Sequence, residues 1–168
     1  LHYGDIRDYS SIEKIFKKEN FNYVFHLAAQ SYPRTSFDAP NDTYETNIIG
    51  TENILKACLA FCPKATIHNC SSSEVFGRVP KEFVPISENT PFHPASPYAI
   101  SKCSADLIGR FYSEAYGLRV LTTRMFTHTG PRRGDVFMES TFAKQIALIE
   151  KNLLPPIVKT GNWSACST

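Results

Sequence analysis

The run Tyr23-Val24-Phe25-His26-Leu27-Ala28 is short and almost wholly apolar, and two similar runs follow it, at residues 65–70 (ATIHNC) and 118–123 (LRVLTT). Such runs are typical of strands that are buried on both faces of a sheet. Segments with helical spacing lie before, between and after them, which predicts right-handed strand-helix-strand crossovers. The sequence therefore predicts an α/β protein with a doubly wound parallel sheet that has helices on both faces.

Four helices are predicted from apolar side chains at three- and four-residue spacing. They run from Tyr9 to Lys18, from Pro40 to Cys62, from about Ser96 to Tyr116 and from about Glu139 to Asn152. The third begins at a serine and a proline and ends just before Gly117, as a capped helix should. Its apolar stripe consists of Ile100, Cys103, Leu107, Phe111 and Ala115.

The composition limits the class of protein. The chain has 168 residues, 42% of them hydrophobic, which is enough for one packed core and excludes disorder. A net charge of +2 is too small for a typical nucleic-acid-binding protein. There is neither a long apolar run nor the start of a signal peptide, and the five cysteines lack metal-ligand spacing. We expect a cytoplasmic protein with free thiols and with no metal, membrane or nucleic-acid partner.

Ligands of such folds bind beyond the carboxyl ends of the strands, in the loops that follow them. These loops are predicted at residues 29–39, 71–95 and 124–137. The middle one is about 25 residues long, and loops of that length are often functional.

The most informative local motif is Ser96-Pro97-Tyr98-Ala99-Ile100-Ser101-Lys102. Tyr98 and Lys102 are four residues apart and share one helix face. A tyrosine pKa must fall by about three units from about 10 for the phenol to act as a base near neutrality, roughly 4 kcal/mol, and a nearby lysine can supply part of it. A surface helix can carry the same pair by chance. The run Ser71-Ser72-Ser73-Glu74, which ends a predicted strand, could likewise be only a turn, but both features in one α/β frame favour catalysis.

Six motifs along the chain together resemble the extended short-chain dehydrogenase/reductases that act on nucleotide sugars. They are GDIRD (4–8), HLAAQS (26–31), NIIGT (47–51), SSSEVFG (71–77), SPYAISK (96–102) and GPRRG (130–134). Within that family the chain most resembles the GDP-mannose 4,6-dehydratases. The resemblance implies an NAD(P)-binding Rossmann-like domain and an internal redox cycle on a nucleotide sugar.

The resemblance also implies catalytic roles. Tyr98, with its pKa lowered by Lys102 and the oxidised nicotinamide, would take the proton from the sugar O4 while hydride leaves C4. Glu74 would remove the C5 proton of the 4-ketone and assist loss of the C6 hydroxyl as water. Ser72 stands where these enzymes usually carry threonine, and it would form a hydrogen bond near O4.

Binding residues are implied in the same way. The cofactor, NADP with NAD as the alternative, would contact Asp5, Ile6, Leu27, Ala28, Ala29, Ser31, Tyr98 and Lys102. The sugar nucleotide would contact Ser31, Ser73, Thr127, Arg132 and Arg133. These residue types also have simpler explanations. Asp5 could form a turn, Ala28 and Ala29 could allow close helix–sheet packing, and Arg132 and Arg133 could lie at an exposed loop tip.

Three positions depart from the GDP-mannose pattern: Asn47 replaces an aspartate, Thr127 an asparagine and Phe76 a tyrosine. They leave open a related decarboxylase, epimerase or 4-ketosugar reductase. A non-catalytic Rossmann-like module is the alternative from another class, although Ser72, Glu74, Tyr98 and Lys102 are all present.

The resemblance also predicts domain boundaries. Residues 1–154 would be a partial dinucleotide-binding domain without its N-terminal βαβ phosphate-binding unit, and 155–168 the start of a substrate-binding region that is mostly absent. The glycine-rich segment Gly130 to Gly134 is not a phosphate-binding fingerprint. We expect the isolated chain to bind dinucleotide poorly and to be inactive, and the complete protein to be a homo-oligomer.

Overall fold

A computed structural model describes residues 1–160, which form two compact units, Leu1–Phe126 and a second that begins at Thr127. The elements of the first unit are α1 (Tyr9–Lys18), β1 (Tyr23–His26), α2 (Pro33–Asp38), α3 (Pro40–Tyr44), a π-helical segment (Glu45–Ile49), α4 (Gly50–Phe61), β2 (Thr66–Cys70), 3-10 turns at Ser73–Phe76 and Lys81–Phe83, α5 (Pro97–Tyr116) and β3 (Arg119–Thr123). The second unit contains α6 (Met138–Glu150).

The three strands form one parallel sheet in the order β1-β2-β3, which confirms the predicted class. Val24, Ile67 and Val120 are in register across one face of the sheet. That face packs on α1, α4 and α5 through a single apolar cluster. The cluster includes Ile12, Phe16, Leu55, Cys58, Ile67, Tyr112 and Leu118. Burial of this apolar area is the main force that holds the layers together.

The other face of the sheet is open in the described part of the chain. Phe25, His68 and Leu121 are in register there, and the side chains of Phe25 and Leu121 remain 69% and 62% exposed. Within residues 1–160, the predicted burial of these strands is therefore found on one face only. Side chains alternate between the two faces of a strand, so a continuous apolar run does not reveal which face a helix covers.

Three helix predictions agree with the structure to within a few residues. For α1 the bounds are identical, but its cap is Asp8 and not the Ser10 or Ser11 that the sequence pattern offers: the Asp8 side chain accepts from the Ser10 amide, and Lys17 and Lys18 lie in the last turn. Such capping and charge placement stabilise the two ends of a helix. The predicted helix from Pro40 to Cys62 contains a π-helical turn at Glu45–Ile49, directly before Gly50, which the apolar spacing does not indicate.

Helix α5 confirms its predicted caps but reverses its predicted core face. The Ser96 hydroxyl accepts from the Ala99 amide, and Gly117 ends the helix at φ 71°. Ile100 and Phe111 of the apolar stripe are 42% and 53% exposed, and Leu107 is exposed as well. The buried face instead carries Tyr98, Ala99, Ser101, Lys102, Ala105, Asp106, Gly109 and Tyr112. Polar groups can be buried there because specific partners satisfy them.

The two predicted loops after β1 and β2 contain short elements that the sequence patterns did not indicate. Helix α2 lies within residues 29–39, and the two 3-10 turns lie within residues 71–95. Short elements of this kind have too few residues to show a periodic pattern.

Gly77 ends the first of these turns, with φ 57° and ψ −131°, and a Cβ at this position would overlap the His93 carbonyl oxygen. We expect Gly77→Ala to lower the free energy of unfolding by at least about 2 kcal/mol, because strain and overlap act together. Gly117→Ala is the control: its φ is also positive but a Cβ would meet nothing within 4 Å, so the loss should be about 1 kcal/mol. Urea unfolding measures both, and equal losses would contradict this account.

The predicted boundaries at residues 1–154 and 155–168 stay predictions. Residues 161–168, including Cys166, lie outside the described residues. Cys58, Cys62, Cys70 and Cys103 are free thiols. No helix within residues 1–160 is long and apolar enough to cross a membrane.

Candidate active site

The serine run after β2 extends the sheet and then turns into a 3-10 helix. The Ser71 amide donates to the Thr123 carbonyl at 2.9 Å, and the Ser73 amide donates to the Met125 carbonyl at 3.0 Å. The Ser72 hydroxyl caps the turn by accepting from the Glu74 amide at 3.2 Å. Ser72 is buried and Glu74 is exposed. The hydroxyl and the carboxylate thus lie at the carboxyl end of the sheet, where ligands of this fold class bind.

Helix α5 brings Tyr98 and Lys102 to the same strand end. Lys102 Nζ donates to the Cys70 carbonyl at 2.9 Å and lies 6.0 Å from the centroid of the Tyr98 ring. Tyr98 and Lys102 are 9% and 8% exposed. Tyr98 also forms a side-chain hydrogen bond with Ser72. Three of the four predicted catalytic side chains are therefore adjacent, and Glu74 is close enough for its charge to act on Tyr98.

The electrostatics of this group differ from the sequence expectation. Burial raises the pKa of Tyr98, and the charge of Glu74 adds to that effect, whereas the Ser72 hydrogen bond lowers it. Burial also lowers the pKa of Lys102. The expected lowering of the Tyr98 pKa by Lys102 is not produced by the protein groups alone. The physical reason is that desolvation disfavours both charged forms, and the ammonium is directed at a carbonyl.

A buried polar network holds the backbone at Tyr98. Asn47 Nδ2 donates to Ser101 Oγ at 2.9 Å, and Ser101 Oγ donates to the Tyr98 carbonyl at 2.7 Å. Asn47 Oδ1 accepts from the Gln30 amide at 2.8 Å, while Nδ2 also donates to the Gln30 carbonyl at 3.0 Å. The Asn47 side chain thereby fixes the segment after β1 to the helix that carries Tyr98. Buried networks in which each group is satisfied hold one arrangement of a site.

His26 continues this network at the end of β1. Thr51 Oγ1 donates its only proton to the Asn47 carbonyl at 2.6 Å. It therefore accepts from the imidazole Nε2–H, and the two atoms are 3.0 Å apart. Burial, helped by the charge of Lys102, lowers the pKa of His26 to about 4. The ring is therefore neutral at pH 7.

The helical segment that contains Asn47 and Thr51 also holds Ile6, one of the predicted cofactor residues. Asn53 Nδ2 donates to the Ile6 carbonyl at 2.8 Å and to the Arg7 carbonyl at 3.2 Å. Ile6 packs so closely on Gly50 that a Cβ there would lie 2.5 Å from Ile6 Cδ1. Residues 47–53 thus position both chain segments to which the sequence assigns cofactor contacts.

Three of the predicted cofactor residues, Ile6, Leu27 and Ala28, line one cavity of about 320 Å³. Ala29 is half-buried and Ser31 exposed in the segment that follows. The mostly apolar lining of this cavity suits a flat ring, so these residues fit part of a nicotinamide dinucleotide. The glycine-rich segment Gly130 to Gly134 lies between β3 and α6, but its glycines lack the spacing of a turn that holds a diphosphate.

Asp5 forms an ion pair with Arg7, whose Nε and NH2 donate to the carboxylate at 3.1 and 2.7 Å. This hydrogen-bonded guanidinium lowers the pKa of Asp5 to about 2. Arg7 NH1 also reaches Asp42 at 2.9 Å. Asp5 does not line the cavity that contains Ile6, so its predicted cofactor contact stays a prediction.

The remaining predicted substrate residues lie in the second unit. Thr127 and Arg132 are exposed, and Arg132 has φ 71°. Arg133 donates to the His128 carbonyl at 3.0 Å, lies 3.5 Å from Glu139 and covers the Phe137 ring at 3.9 Å. The Arg133 guanidinium thus contacts groups of its own unit. The predicted contacts of both arginines with the sugar nucleotide stay predictions.

The sequence model of GDP-mannose 4,6 dehydratase matches residues 1–167. The chain belongs to the GDP-mannose 4,6 dehydratase family. It is 37% identical to the GDP-mannose 4,6 dehydratase 2 of Caenorhabditis elegans over 98% of its own length. The resemblance read from the six motifs is confirmed.

Solved structures of related enzymes have the same fold. RMD from Pseudomonas aeruginosa in complex with NADPH has a TM-score of 0.86 at 35% identity, and the alignment covers 91% of this chain and 52% of that one. DesIV, a dTDP-glucose 4,6-dehydratase from Streptomyces venezuelae with NAD and TYD bound, has a TM-score of 0.75 at 29% identity, covering 86% and 43%. The predicted Rossmann-like fold is confirmed.

The chain covers 43% of the Caenorhabditis elegans dehydratase. It thus spans under half the length of that curated member of the family.

For this member of the family, sequence reasoning missed the supporting residues Asn47, Thr51, Asn53 and Ser101. All four are buried. The motif NIIGT contains Asn47 and Thr51, and these two polar residues at i and i+4, on one face of the helix, were the available signal.

Proposed function

We propose that this chain carries the redox and elimination residues of a dehydratase that converts GDP-mannose to GDP-4-keto-6-deoxymannose. One observation carries the proposal: Ser72, Tyr98 and Lys102 are adjacent at one strand end, with Glu74 beside them, in a chain that matches the GDP-mannose 4,6 dehydratase family over nearly its whole length. The names of the relatives support GDP-mannose as the substrate.

When bound, the nicotinamide cofactor, NADP with NAD as the alternative, supplies a hydride acceptor for C4 and a hydride donor for C6. Tyr98 takes the O4 proton as C4 is oxidised to the ketone. Ser72 forms a hydrogen bond with the Tyr98 phenol and orients it toward the substrate hydroxyl. Lys102, anchored on the Cys70 carbonyl, provides positive charge behind the ring. Burial of the phenol means that Tyr98 must lose its own proton before it can act as a base.

Glu74 performs the elimination. A 4-ketone acidifies the C5 proton, so a carboxylate can remove it, and the C6 hydroxyl then leaves as water. Glu74 is exposed at the edge of the Ser72-capped turn, where a sugar ring that reaches Tyr98 can contact it. The proton that Glu74 removes from C5 leaves with the C6 hydroxyl as water. Once C6 has received its hydride, C5 must regain a proton, and the proton that Tyr98 took from O4 balances this one, so that O4 receives none. The ketone therefore remains in the product.

We further propose that the complete protein works in the cytoplasm as a homo-oligomer. Free thiols at Cys58, Cys62, Cys70 and Cys103 support a reducing compartment. The exposed apolar stripe of α5 at Ile100, Leu107 and Phe111 supports association with a second copy.

Product analysis tests the proposed reaction. We expect the complete protein that contains this sequence, given NADP⁺ and GDP-mannose, to form a sugar nucleotide lighter by one water, with a ketone at C4 and a methyl group at C6. Mass spectrometry and proton NMR identify it. GDP-glucose and dTDP-glucose serve as substrate controls. A product of unchanged mass would indicate an epimerase, and it would contradict the proposal.

A further inference from the structure

Arg124 directly follows β3, and its guanidinium contacts two other elements. Nε lies 2.8 Å from Asp106 Oδ2, and NH2 lies 3.1 Å from Asp106 Oδ1. NH1 donates to the Glu88 carbonyl at 2.9 Å. Asp106 is only 3% exposed, so this bidentate pair is buried on the α5 side. A buried ion pair of this kind is stable only when both carboxylate oxygens are bonded to the guanidinium, as they are here.

The flat side of the guanidinium packs against aromatic rings. Its central carbon lies 4.8 Å from the Phe92 ring centroid and 5.9 Å from that of Phe76. Phe76 in turn contacts Phe92 at 6.1 Å and stacks on Phe126 at 6.4 Å. Arg124 therefore supports the ring that ends the 3-10 turn Ser73–Phe76.

These contacts join the two halves of the candidate active site. Asp106 lies one helical turn beyond Lys102 and two turns beyond Tyr98, on the same buried face of α5. Phe76 is two residues from Glu74 in one short turn. A single guanidinium thus connects the helix with the redox residues to the turn with the elimination residue.

We propose that Arg124 is a positioning residue that fixes Glu74 relative to Tyr98, so that both reach one sugar ring. This inference rests on the proposed function. Lysine cannot replace Arg124, because one ammonium cannot bind both carboxylate oxygens, reach the Glu88 carbonyl and stack on Phe92 at once. A shift of the Glu74 turn by about 1 Å is enough to slow a reaction about a hundredfold.

Arg124→Lys in the complete protein tests this, because it keeps a positive charge beside Asp106. The matched control is Arg110→Lys. Arg110 is on α5, the helix that carries Asp106, and it forms an exposed pair with Glu114 at 3.6 Å. Hydrogen exchange followed by mass spectrometry should show faster exchange at residues 73–77 and 86–93 in Arg124→Lys, with residues 98–106 unchanged. Arg110→Lys should match the natural protein throughout.

The kinetic arm separates the two chemical steps. With GDP-mannose in D2O, Arg124→Lys should reduce the cofactor within about twofold of the natural rate but incorporate deuterium at C5 at least about tenfold more slowly. A role in stability alone would lower both steps together. The double variant Asp106→Leu/Arg124→Met removes both buried charges and should show the same step-selective loss, so misfolding of one variant does not decide the result.

Equal losses in both steps, or unchanged exchange at residues 73–77, would overturn the proposal. If the natural protein itself yields no dehydrated product from GDP-mannose, the proposed function fails instead. The exchange arm then still decides whether Arg124 holds the turn that carries Glu74.

Discussion

Glu74→Gln should lower the rate of dehydration by about a thousandfold, within the range of a lost general base. Glutamine has the same shape but cannot take the C5 proton. Oxidation at C4 should continue, because the charge of Glu74 raises the pKa of Tyr98 and its removal makes the phenol a more available base. Stopped-flow absorbance of the reduced cofactor follows oxidation, and deuterium incorporation at C5 follows proton removal.

The matched control for this variant is Glu82→Gln. Glu82 is an exposed acid in the next 3-10 turn of the same loop, Lys81–Phe83, so it tests the loss of one surface charge nearby. It should dehydrate GDP-mannose at the natural rate. Normal elimination by Glu74→Gln would refute the role of Glu74.

Tyr98→Phe should reduce C4 oxidation by about a thousandfold or more while cofactor binding persists, because the ring still fills its buried position and only the proton acceptor is lost. Tyr116→Phe, which removes an exposed hydroxyl from the same helix, is the control. Cofactor affinity by calorimetry and turnover by product formation measure the two effects. Retained turnover in Tyr98→Phe would favour a non-catalytic module of the same fold.

The pH dependence of oxidation provides an independent measure of Tyr98. A base works in its deprotonated form, and burial raises the pKa of this phenol, so the rate should rise with pH through the neutral range. Ser72→Ala removes the hydrogen bond that lowers that pKa, and the rise should therefore move to higher pH. In Tyr98→Phe the rise should disappear.

Much of the fold follows from local sequence. The spacing of Ile12, Ile15 and Phe16 and the cap at Asp8 decide α1, and Ser96, Pro97 and Gly117 decide the ends of α5. These signals act within a few residues, where backbone hydrogen bonds and caps are formed. The pairing of Tyr98 with Lys102 is local for the same reason, because residues four apart share a helix face.

Local sequence is enough to show which residues of this protein share a strand or a helix face, and which six motifs mark its family. The tertiary structure alone decided which face is buried: α5 buries Lys102 and Asp106 and exposes Phe111. It also decided that Asn47 and Arg124 tie separate segments to the site, and that the pKa of Tyr98 rises. Periodicity records neighbours along the chain, whereas burial, desolvation and ion pairing depend on groups that are distant in sequence.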